Sequence, residues 1–243
     1  TGDGAGLMTK IPHDFFKKVT DFELPEKGRY GVGMIFFPND TGAQQKLENQ
    51  INQFIKLEGQ QLLGWRTVPV NVTTIGKKAQ ETCPLIKQVF IACNETIPEN
   101  LAFERKLFVI RKQAEHWARE HGLQTYFASL SSQTIVYKGL LTPEQVDAFY
   151  SDLQDTDFVS PFALVHSRFS TNTFPTWERA HPNRYIIHNG EINTLQGNMN
   201  WMKAREKQFV SEAFGDDIGK LLPILDADGS DSPGACNVCR GKS

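Results

Sequence analysis

Strand-forming runs in this chain come in clusters rather than in strict alternation with helices, and that order constrains the fold more than any other feature. Apolar and β-branched stretches stand at RYGVGMIFFP (29–38), QLLGWRTVPV (61–70), QVFIAC (88–93) and KLFVI (106–110), with SPFALVHSRFS (160–170) and RYIIHNGEI (184–192) further on. TYFASLSSQTIVYKG (125–139) holds two such runs separated by polar residues and reads as a hairpin. Between these runs, Leu47, Ile51, Phe54 and Ile55 recur at helical spacing behind the candidate caps Asn39, Asp40 and Thr41. RKQAEHWAREHG (111–122) reads as a helix stopped by Gly122. TPEQVDAFYSDL (142–153) opens with Thr142 as cap, Pro143 at the first helical position and Gln145 closing a capping box. A last helix is expected over about 195–209, with Trp201 and Met202 on its apolar side. A doubly wound parallel sheet needs strand and helix to alternate, so the expected class is α+β, built in layers.

A chain of 243 residues with 40% hydrophobic and 22% charged content can bury a full core. The net charge of −2 gives no electrostatic case for nucleic acid or an anionic membrane as partner. No apolar run reaches the roughly 18 residues of a membrane span. The start, TGDGAGLMTKIPHDFF, has neither a basic n-region nor a long apolar core, so no signal peptide is expected. Four cysteines, Cys83, Cys93, Cys236 and Cys239, are too few for a disulfide framework at this length, and reduced thiols in the cytoplasm fit them. Cys93 ends an apolar run and reads as a small buried hydrophobe. The CNVC pair at 236–239 has metal or redox spacing, but no second pair or nearby histidine accompanies it, so the structural reading is preferred and no metal is expected.

Several chemistries find no footing. TGDGAG (1–6) resembles a glycine-rich phosphate loop, yet it lacks a preceding strand and the lysine of a nucleotide-binding loop. The six histidines are scattered without HExxH or HxH spacing, and there is no GxSxG elbow. His188 lies in an apolar run and reads as a core histidine. The segment from 165 to 232 is different. Arg168 closes a strand amid hydroxyls and amides, where a guanidinium can grip a carboxylate in a bidentate fork. Asn189-Gly190 ends the next run, either as a hairpin turn or as an amide and a backbone N–H aimed at an oxyanion. Asp231 stands in the small-residue turn DADGSDS, where it can cap the loop or meet an ammonium group.

The run HSRFSTNTFPTWERAHPNRYIIHNGEINTLQGNMNWMKARE (166–206) closely resembles the glutamine amidotransferase domain of glutamate synthases, a class II amidotransferase of the N-terminal-nucleophile hydrolase group. The likeness extends through TGDGAGLMTKIPHDFF, YGVGMIFFP, ERKLFVIRK and SLSSQTIVYKGLL. It implies a four-layer αββα sandwich and hydrolysis of L-glutamine to L-glutamate and ammonia. It implies that Arg168, helped by Thr171, binds the α-carboxylate of glutamine and that Asp231 takes the α-ammonium. Asn189, through its side-chain amide, and Gly190, through its N–H, would then form the oxyanion hole, where losing one donor costs about 3–4 kcal/mol of barrier. The ammonia would serve reductive amination of 2-oxoglutarate in a synthase domain of the same polypeptide, with an electron-donating small subunit as a further partner. The flavin FMN and an iron–sulfur cluster would belong to that other region, leaving no cofactor in this one.

In the resembled family an N-terminal cysteine attacks the carboxamide, its own α-amine acting as base, within a segment reading roughly Cys-Gly-Val/Ile-Gly-Phe. RYGVGMIFF is similar, but Tyr30 stands where the cysteine would be. Thr1 falls in TGDGAG, downstream of the expected catalytic end, which argues against it as the nucleophile. The expectation is therefore a partial amidotransferase domain over 1–232, incomplete at its N-terminus and inactive by itself, followed by an unaligned tail over 233–243. A non-catalytic glutamine-binding module and a phosphate-binding loop are the two rival readings.

Overall fold

The computed structural model describes residues 4–98, 100–169, 174–187, 195–206 and 208–225. In chain order the elements are β1 (Ala5–Lys10), α1 (His13–Val19), β2 (Tyr30–Phe37), α2 (Thr41–Leu57), β3 (Gln61–Thr67), α3 (Lys77–Glu81), β4 (Leu85–Ala92), α4 (Asn100–Glu120), β5 (Tyr126–Ser131), β6 (Thr134–Gly139), α5 (Val146–Phe149), β7 (Ala163–His166) and α6 (Leu195–Glu206). Two antiparallel sheets form, one of four strands in the order β3-β4-β2-β5 and one of three in the order β6-β1-β7.

Alternation along β2 and β4 sorts side chains to two cores. Ile35, Phe37, Val89 and Ile91 point to one side and pack on Leu47, Ile51 and Ile55 of α2 and on Phe103, Leu107 and Ile110 of α4. Tyr30, Val32, Met34, Phe36, Ile86 and Phe90 point to the other side, where they share a core with Ala5, Met8, Ile135, Val136 and Tyr137 of the three-stranded sheet. Each such side chain contributes about 1.5–3 kcal/mol by leaving water. Helix, sheet and sheet thus stack in the order expected of the layered α+β class.

Several expectations change on contact with the structure. The run 106–110 is not a strand but the interior of α4. Leu107 and Ile110 face the four-stranded sheet, while Phe108 and Val109 pack against Phe214, Leu221 and Ile224. A helix covered on two sides reads as an unbroken apolar run, which periodicity cannot tell from a strand. The segment 125–139 is not a hairpin: β5 pairs with β2 and β6 with β1, so the turn between them carries the chain from one sheet to the other. Serine side chains supply what a ladder would have given, Ser129 Oγ accepting from the Val136 N–H at 3.1 Å and Ser131 Oγ from the Gln133 N–H at 3.0 Å. The start of RYIIHNGEI is a turn, with Asn183 and Ile186 exchanging both backbone hydrogen bonds at 3.0 and 2.9 Å, and the rest of that run, from His188, lies outside the described residues. Finally α6 ends at Glu206, and Trp201 is 73% exposed rather than packed.

The capping features hold. Asp40 accepts from the Ala43 N–H at 2.7 Å, Gln145 Oε1 accepts the Thr142 N–H at 2.9 Å, and Gly122 closes α4 with φ +64°. The helix expected over 142–153 is broken into short 3-10 and α turns, of which α5 is the middle. Cys93 is buried, as read from its run. The glycine-rich start leads from Gly4 directly into β1, so the helix N-terminus that a phosphate loop needs is not there.

Candidate active site

Strand β7 delivers Arg168. It pairs with β1 in the register Gly6↔His166, Leu7↔Val165, Met8↔Leu164 and Thr9↔Ala163, and the chain leaves it through Ser167, Arg168 and Phe169. The Phe169 ring then lies over Gly4, where an added Cβ would stand only 2.7 Å from Cδ2 of the ring. Gly4 also has φ +65°, a conformation that side-chain-bearing residues rarely adopt, so glycine is needed there twice over. Arg168 itself is exposed and makes no ion pair with any described residue.

Beside this strand exit is a cleft of about 710 Å³, lined among others by Leu7, Thr9, Val146, Leu153, Phe158, Val165 and Ser167. The Thr9 hydroxyl is buried there without a hydrogen-bond partner. Next to Leu153 of this lining, buried Asp152 pairs with partly buried Arg66. Arg66 grips Asp152 in a fork, Nη2 to Oδ1 at 2.6 Å and Nη1 to Oδ2 at 2.8 Å, and the Tyr137 hydroxyl donates to Asp152 Oδ2 at 2.9 Å. Arg66 Nη1 also donates to Gln88 Oε1 at 2.8 Å, and Gln88 Nε2 to the Tyr137 oxygen at 3.1 Å. Burial and the Asp152 charge push the Tyr137 phenol well above its ordinary pKa, so it stays a proton donor here. Four groups from both sheets and the 151–154 turn are locked together in this way.

The segment 174–187, which leads towards Asn189, is anchored by residues that the sequence reading passed over. Trp177 is buried, packs against Gly139 and donates from Nε1 to Thr82 Oγ1 at 3.3 Å. Arg184, also buried, donates from Nη1 to the Phe127 carbonyl at 2.6 Å. Lys138 reaches the Glu178 carbonyl at 2.8 Å. A lysine in the otherwise apolar run TIVYKG was the one available signal. Of the residues singled out from sequence, Arg168 is placed by the structure; Thr171, Asn189, Gly190, Asp231 and the pair Cys236 and Cys239 lie outside the described residues, as does His188. Among the described residues, no group of three or more His, Cys, Asp or Glu side chains is gathered as a metal ion would need, and no helix is long and apolar enough to cross a membrane.

Two stacked antiparallel sheets, helices on the outer face of one of them, and an arginine presented at the end of a strand define an α+β sandwich of the N-terminal-nucleophile hydrolase type. The chain belongs to the class II glutamine amidotransferase family, whose model, described as "Glutamine amidotransferases class-II", matches residues 1–238. It is 70% identical over 233 residues to the glutamate synthase [NADPH] large chain of Bacillus subtilis, covering 96% of this chain and 15% of that protein. It is 45% identical over 238 residues to the ferredoxin-dependent glutamate synthase 1 of Arabidopsis thaliana, covering 96% of this chain and 14% of that protein. Similarity to the glutamate synthase [NADH] of Saccharomyces cerevisiae is 45% over 251 residues, covering 98% and 12%. The chain therefore spans about one-seventh of the length of these relatives.

Proposed function

We propose that this chain is the glutaminase region of a glutamate synthase, in which L-glutamine and water give L-glutamate and ammonia. The observation that carries the reading is Arg168, exposed at the exit of β7 with no ion-pair partner among the described residues, in a chain of the class II family. In this reading Arg168 and Thr171 hold the substrate α-carboxylate, Asp231 holds its α-ammonium, and the Asn189 amide with the Gly190 N–H stabilises the oxyanion of the tetrahedral intermediate. The attacking thiol would be an N-terminal cysteine whose own amine takes the proton, forming a thioester that water then hydrolyses. The internal thiols are poor substitutes. Burial pushes Cys83 up to about 11 and raises Cys93, which leaves little thiolate at neutral pH.

The ammonia would pass to a synthase region outside these 243 residues, where FMN and an iron–sulfur cluster support reductive amination of 2-oxoglutarate, with a small electron-donating subunit as a further partner. The three relatives are named for three different electron donors, so none is carried over. A cytoplasmic location, a domain over 1–232 and a tail over 233–243 complete the proposal.

Ammonia release from glutamine tests it. The full-length protein carrying this domain is expected to hydrolyse glutamine, and a polypeptide of these 243 residues alone is expected not to. Glutamine binding without ammonia release by the full-length protein would replace the proposal with a non-catalytic binding module.

A further inference from the structure

β7 is an edge strand, paired with β1 alone among the described residues, and its Ala163, Leu164 and Val165 are exposed. His166, its last residue, is the one β7 side chain that is partly covered. Its imidazole lies against that of His181, with ring centres 4.8 Å apart and planes tilted by 33°, a separation typical of packed ring pairs. The strand register explains how the two rings meet. Lys138, Gly6 and His166 stand opposite one another across β6, β1 and β7, so they share one face of the sheet. Gly6, the middle member, has no side chain, and a Cβ there would come within 2.8 Å of the His181 carbonyl. Residue 181 therefore rests on bare backbone between a lysine and a histidine. Lys138 Nζ holds it there, donating to the Glu178 carbonyl at 2.8 Å and to Asn183 Oδ1 at 3.2 Å, one acceptor on either side of His181. His181 is itself buried.

Arg168 follows His166 by two residues, a stretch of chain that spans at most about 7 Å, and it directly precedes Phe169, whose ring packs on Gly4. The exit of β7 is thus held at two points that bracket Arg168, His166 on His181 and Phe169 on Gly4. We infer that His181 is a positioning residue for the substrate carboxylate, acting through His166 on the end of β7 and so on Arg168. The inference rests on the glutaminase reading above, in which Arg168 grips that carboxylate. A forked grip requires the guanidinium plane to be set to the carboxylate, so play in the strand end weakens substrate binding.

The test measures KM for glutamine in ammonia release by the full-length protein. His166→Ala and His181→Ala are each expected to raise KM by about 3- to 10-fold, and the double variant no further than the worse single one, because both remove the same contact. In an Arg168→Ala background, either histidine substitution is expected to add less than about twofold, since the group it acts through is gone. A histidine that merely stabilised the fold would let the two effects multiply. An unchanged KM in either single variant overturns the inference, as does a histidine effect of the same size with and without Arg168. If His181→Ala does not fold, His166→Ala decides by the same criteria. A parent that releases no ammonia, or an Arg168→Ala variant with the KM of the parent, overturns the reading of Arg168 and this inference with it. A raised KM in Arg168→Ala beside unchanged histidine variants overturns only the inference.

Discussion

Phe169 lies across Gly4 with its ring so close that no side chain fits at residue 4, and the link joins the start of β1 to the residue after Arg168. The two positions are distant in sequence, and this contact ties the residue after Arg168 to the start of the other strand.

Gly4→Ala is therefore expected to act on substrate binding as well as stability. Alanine at φ +65° costs about 1–2 kcal/mol in backbone strain, and its methyl group must displace the Phe169 ring. A several-fold rise in KM for glutamine in the full-length protein, with a lower melting temperature, is the predicted outcome. Steady-state kinetics and thermal denaturation measure the two parts separately.

Arg168→Ala is expected to raise KM for glutamine by about 10- to 100-fold, the range of one to two lost hydrogen bonds to a charged group. Arg168 is exposed and holds no described partner, so the melting temperature should hardly move. A KM equal to that of the parent would mean the carboxylate is bound elsewhere.

Asp152 is buried, Arg66 grips it in a fork from a largely covered position, and Tyr137 shares the carboxylate. Asp152→Asn removes the charge that compensates Arg66, which costs about 3–5 kcal/mol when a buried pair is broken. The denaturant midpoint should fall accordingly. Replacing both members with Arg66→Met and Asp152→Leu should restore much of the loss, because the penalty comes from the stranded charge.

Acid sensitivity is expected from Glu115. Burial by itself would raise its pKa, but Arg111, with both guanidinium contacts at 2.8–2.9 Å, and the nearby Arg184 and Lys112 outweigh burial and hold the carboxyl down at about 2. A carboxyl that titrates lower in the folded chain than in the unfolded one contributes stability that is full above its unfolded pKa of about 4.5. That contribution is lost as pH falls from about 4.5 towards 2. Stability measured by denaturant titration should drop across this window, and Glu115→Gln should flatten that part of the profile.

Much of this was legible in the sequence. The α+β class, the caps at Asp40 and Thr142, the stop at Gly122 and the buried Cys93 all follow from local signals, because capping, turn chemistry and side-chain period are decided within a few residues. The family also followed, from a signature spread over most of the chain. Local signals failed where the outcome depends on what covers a segment. Phe108 and Val109 made 106–110 look like a strand because a second layer, around Phe214 and Ile224, buries the other face of the helix. The two runs of 125–139 are adjacent in sequence, but each finds its partner in a different sheet, β2 for one and β1 for the other, and pairing is settled by long-range packing. Trp201 carries the apolar signature of a packed face and stands in solvent because no described element lies against it. Lys138 shows the same division most clearly. The sequence determined that a cation stands on β6, and only the tertiary structure, by bringing Tyr126, Glu178 and Asn183 within reach of one ammonium, decided what that cation holds.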